Sequence, residues 1–183
     1  MISALAKPST VKKADPAKVE RLYGTVTTLA RNPVFYTRFG VPDTTDGRYD
    51  LLCLMLSLVL FRVQQQEPET AQALFDLTFK DTERGLREAG VGDLGVPKHM
   101  KKMLAAFYGR AAAYYEALDQ QDTASLAAAM TKNLYSGQLD APSGSMAEWT
   151  RIAHQYLSGT DLQEFTTEPN QLLQLVPPTE ESA

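Results

Sequence analysis

One apolar stretch, LLCLMLSLVLF at residues 51–61, constrains this chain more than any other feature; only Ser57 interrupts it. As a helix it is about 16 Å long, against the roughly 30 Å of a bilayer's hydrocarbon core. Arg48, Asp50 and Arg62 bracket it with charge. A helix apolar on every side has to be covered by other elements, so the run is expected at the centre of a helical bundle and not in a membrane. The chain can supply that cover. Its 183 residues are 44% hydrophobic and 22% charged, and a chain of this size buries about 70% of its unfolded surface.

The flanking sequence is punctuated by helix signals. Asp15-Pro16 pairs an N-cap residue with a proline in the first turn, and Val19, Leu22, Tyr23, Val26 and Leu29 follow at helical spacing. Asn32-Pro33 opens a short helix that Gly40 closes; residues 41–47, VPDTTDG, read as a turn-rich loop before the apolar helix at about 48–65. Pro68 starts a helix that Gly90 ends, and Pro97 starts another running to about Leu118. Asp122 or Thr123 caps the next, which Gly137 stops. Ser145-x-x-Glu148 has the form of a capping box for a helix ending at Gly159, and Asp161-x-x-Glu164 could cap one further turn. No stretch alternates with period two. The expected fold is all-α, an irregular bundle of about seven helices around one central apolar helix. The expected organisation is a flexible N-terminus over 1–14, one helical domain over 15–167, and an acidic tail over 168–183.

Motifs for catalysis are absent. GVGDLG, residues 90–95, has the glycine spacing of a dinucleotide loop, but it follows the end of a helix and not a strand, so a tight inter-helix turn accounts for it. His99 and His154 stand in no metal-ligand spacing, and Cys53 lies inside the apolar run, where a thiol is inert packing. No cofactor, no metal and no enzymatic activity are expected. A single cysteine fits a reducing compartment. The first residues, MISALAKPSTVKK, lack both an apolar signal region and arginine, so neither secretion nor mitochondrial import is expected.

The charge is uneven. The net charge is −4, yet residues 161–183 hold five acids (Asp161, Glu164, Glu168, Glu180, Glu181) and neither lysine nor arginine. The rest is therefore close to neutral, with cations gathered at one corner. Lys98, Lys101 and Lys102 follow Pro97, where positive charge in the first turn opposes the helix macrodipole by about 0.3–1 kcal/mol each. Arg84 and Arg87 precede Gly90, and the turn containing Asp93 would join the two groups. Arg110 extends the corner, and four aromatics gather beside it. Phe107 and Tyr114 are spaced as core, while Tyr108 and Tyr115 lie one step round the helix, nearer solvent. The partner-binding candidates are Arg84, Arg87, Asp93, Lys98, Lys101, Lys102, Phe107, Tyr108, Arg110 and Tyr115. Such a corner suits an acidic segment, RNA or anionic lipid; the alternative is solvated charge beside ordinary core aromatics.

Three stretches, FYTRFGVPDTTDGRYDLL (35–52), ALFDLTFKDTERGLREAGVGDLGVPKHMKKM (73–103) and AFYGRAAAYYEAL (106–118), resemble the ubiquinol–cytochrome c chaperone family. The likeness runs from about Phe35 to Asn133 and is loose outside it. One departure is Met55, where the family's apolar helix often carries a histidine. The resemblance implies an assembly chaperone for the cytochrome bc1 complex, and the expected absence of a transit peptide makes it a bacterial-type member. It would bind newly made cytochrome b before haem-loaded assembly, with the ribosome or an anionic membrane surface as further partners and no DNA. It would sit in the cytoplasm, at most peripheral to the inner membrane. Two alternatives stand beside it: a small helical carrier of haem, quinone or lipid, resting on His99, Met100 and the apolar helix, and a generic protein adaptor.

Overall fold

A computed structural model describes residues 13–167 and 171–175. Every element among them is helical: α1 (Pro16–Ala30), α2 (Pro33–Thr37), α3 (Thr45–Gln66), α4 (Pro68–Glu88), α5 (Val96–Asp119), α6 (Thr123–Asn133), α7 (Ser143–Gly159), α8 (Leu162–Thr167) and α9 (Gln171–Gln174). The all-α expectation holds, and α1 to α7 are the seven helices the punctuation predicts.

The caps explain most boundaries. The Asp15 carboxylate accepts from the Ala17 amide at 3.0 Å, and the Asn32 side chain accepts from Val34 at 3.0 Å. Asp122 accepts from Ser125 at 3.0 Å. Each satisfies an amide that the first helical turn leaves without a partner. Gly90 takes a φ of 87°, the left-handed conformation that follows a helix end at little cost for glycine; α6 ends earlier than expected, at Asn133, and Ser136 (53°) and Gly137 (84°) make the left-handed turn after it.

Two starts differ from expectation. α3 begins at Thr45, inside the stretch read as loop, because the Thr44 hydroxyl caps it by accepting from the Gly47 amide at 3.1 Å. Gly47 is required there: a Cβ would lie 2.1 Å from the Pro42 carbonyl oxygen. α7 begins at Ser143, directly after Pro142. Ser145 therefore falls inside the helix, and Glu148 bonds Arg151 at 2.6 Å instead of closing a capping box.

α3 is the axis. Leu51 and every residue from Cys53 to Phe61 are buried, Met55 among them. α1, α4, α5 and α7 pack directly on α3, while α6 fills the space between α5 and α7. Trp149 of α7 meets Phe35 edge-on at 4.8 Å and Phe39 at 6.2 Å, and the Tyr135 hydroxyl donates to the Phe39 carbonyl at 2.7 Å. Within the stretch read as a tail, α9 is docked: Leu172 is buried, and its carbonyl accepts from the Trp149 indole at 3.2 Å.

Candidate functional site

The α4–α5 corner forms as its glycines imply. Gly90 turns the chain out of α4, Val91 donates back to the Leu86 carbonyl at 3.0 Å, and Gly95 donates to Gly92 at 2.7 Å. The turn holds Leu94 in solvent at 99% exposure. Lys98, Lys101 and Lys102 are exposed, and no acid among the described residues pairs with them. The arginines differ. Arg84 pairs with Asp81 and, at 3.6 Å, with Glu88; Arg87 pairs with Glu83 at 2.8 Å and Asp93 at 3.5 Å. Their charge is balanced within the corner, Asp93 serving as one of the balancing acids. The net positive field comes from the three lysines.

Three sequence-based candidates are corrected. Arg110 is not part of the corner. Its guanidinium lies 2.7 Å from the Asp50 carboxylate, and its side chain is only 18% exposed. Position 110 stands three after Phe107 and four before Tyr114, so it continues the buried stripe of α5; that spacing was the signal. Phe107 is core, at 5.4–5.6 Å from the rings of Phe79 and Phe75. Tyr115 is half-buried, edge-on to Phe61 at 5.0 Å. Tyr108 does reach solvent, at 36% exposure, with its ring stacked on Phe75 at 5.6 Å. It lies seven residues after Lys101, two turns along the same helix face.

Beside the corner is a groove that no sequence motif announces. Its volume is about 410 Å³, and α1, α2, α3, α4 and Met103 of α5 form its walls. Leu52, the half-buried member of the apolar run, lies in its lining. Three tyrosines line it: Tyr23 donates to Asp81, Tyr36 to the Ala30 carbonyl at 2.7 Å, and Tyr49 to the Met103 carbonyl at 3.0 Å. Burial and the Asp81 carboxylate push the Tyr23 phenol up to about 12, so it stays a donor. Arg48 pairs with Asp43 at 2.6 Å and lies 5.9 Å from the centre of the Tyr36 ring.

A second polar cluster is sealed between α3 and α5. Burial raises Asp50 to about 6 even though Arg110 opposes the shift. Burial also pushes the Cys53 thiol up to about 12, which keeps it protonated and inert. Arg110 Nε and the Tyr114 hydroxyl are buried without a hydrogen-bond partner. No three His, Cys, Asp or Glu side chains among the described residues are placed to hold a metal ion. No described helix is long and apolar enough to cross a membrane.

The model of the family described as Ubiquinol-cytochrome C chaperone matches residues 37–171. The crystal structure of the Cbp3 homolog from Brucella abortus is similar to this chain at 38% sequence identity and a TM-score of 0.73, covering 82% of this chain and 85% of that one. A comparison with curated proteins finds no match.

Proposed function

Because the chain belongs to the ubiquinol-cytochrome C chaperone family, we propose that it is an assembly chaperone for the ubiquinol–cytochrome c reductase complex and holds newly made cytochrome b at the α4–α5 corner. The observation that carries the site is the pairing of opposite characters at one turn. Leu94 is an apolar side chain held in solvent, and three lysines without acidic partners follow it. An apolar tip beside unbalanced cations suits a client whose apolar segments adjoin acidic loops. The same lysines suit an anionic membrane surface, so the chain acts peripherally to the membrane that receives its client.

The reading assigns no catalytic step and no cofactor. A haem or quinone carrier is less well supported. His99 is exposed, Met100 is half-buried, and neither lines the 410 Å³ groove.

The test is a strain lacking the gene, complemented with Lys98→Glu, Lys101→Glu and Lys102→Glu together. Assembled reductase and the cytochrome b haem absorbance should fall while the amount of folded chaperone stays constant. Normal haem spectra in that strain would remove the corner from the proposal.

A further inference from the structure

The groove has three properties that the corner does not explain. The first is Gly85. It stands inside α4, where glycine costs about 1 kcal/mol relative to alanine, and it lines the groove. A Cβ built on it meets nothing within 4 Å, so no packing demands its absence. That point of the wall is therefore open space, with room for a larger side chain. The second is the charge at the mouth. Asp81 in the wall is already held by Tyr23 and Arg84, and Arg48 by Asp43 at 2.6 Å. Arg31 lines the same groove, is exposed, and pairs with no acid among the described residues. The third is size. At about 410 Å³ the groove lies at the small end of the roughly 300–1,000 Å³ of ligand pockets. A space of that size suits one or two side chains of a short segment.

We propose that this groove is a docking site for a short segment of a partner protein in which a bulky apolar side chain stands beside a carboxylate. The apolar group fills the space over Gly85 against Leu52, Leu86 and Met103, and the carboxylate meets Arg31. Leu86 adjoins Arg87 in sequence, and Met103 adjoins Lys102, so the groove and the corner share α4 and α5, and one client can use both. In that role the inference rests on the chaperone reading, although the binding itself is testable without it.

Full-length protein is titrated against three fluorescein-labelled peptides in identical Gly-Ser flanks, followed by anisotropy. Their centres are Phe-Leu-Glu-Glu, Phe-Leu-Gln-Gln and Gly-Gly-Glu-Glu. The first should bind saturably and the other two about tenfold or more weaker, a difference of about 1.4 kcal/mol. Gly85→Leu, which fills the groove from an unstrained helical position, should weaken the first peptide to a similar degree, and Arg31→Glu should as well. A thermal melt confirms that both variants fold, and Gly85→Ala supplies a smaller filling if the leucine does not. Undiminished binding by a folded Gly85→Leu, equal binding of the first two peptides, or no saturation by about 1 mM overturns the proposal. A dimer that Gly85→Leu dissolves also overturns it, since the occupant is then a second copy. Reductase assembly in the triple-lysine strain reports on the corner alone, so failure here leaves that reading standing.

Discussion

Arg110 and Asp50 meet at 2.7 Å across the α3–α5 interface, where Arg110 Nε has no partner of its own. Removing one member of such a pair strands the other charge, at a cost of about 3–5 kcal/mol. Arg110→Met should lower stability by that order in urea unfolding. The double variant Asp50→Leu/Arg110→Met should recover most of the loss, because matched apolar groups leave nothing to solvate. Asp50 also carries a pH signature. Its folded value of about 6 lies above the unfolded value of about 3.9, so the folded state holds the proton more tightly. That preference adds stability near pH 4 and is lost as pH rises through about 6. Wild type should therefore lose stability relative to Asp50→Asn between pH 4 and pH 7, read from urea midpoints. Arg110 is also where charge alone misled: a cation near other cations reads as surface. Its place on the Phe107–Tyr114 stripe was visible in the spacing, but the acid opposite it, 60 positions earlier in the chain, was not.

The helices follow from local chemistry, and their predicted faults are local too. Asp15, Asn32 and Asp122 were legible as caps because the interaction spans two or three residues. The Ser145–Glu148 box failed because Pro142 let α7 start early, and a cap motif has no meaning once it lies inside the helix. Gly85 gives the element-scale prediction. Its backbone is helical and a Cβ meets nothing, so Gly85→Ala should raise stability by about 0.5–1 kcal/mol in thermal or urea unfolding. A loss of stability instead would mean that α4 is distorted at that position.

Across the whole molecule, α9 closes the bundle over α7. Leu172 is buried and its carbonyl holds the Trp149 indole. Leu172→Ala should cost about 2–5 kcal/mol. It should also shift the emission of Trp149, the one tryptophan in the chain, which reports the contact directly. An unchanged emission maximum and urea midpoint would detach α9 from the core. The sequence by itself determined the helical class, most helix ends and the burial of residues 51–61, since these depend on periodicity, capping and the fact that a wholly apolar helix must be covered. Only the tertiary structure decided the groove, the Asp50–Arg110 pair and the docking of Leu172. The reason is separation along the chain. Tyr23 reaches Asp81 over 58 residues, Tyr49 reaches Met103 over 54, and Trp149 reaches Leu172 over 23. Such contacts are set by how helices cross, and no local pattern encodes a crossing.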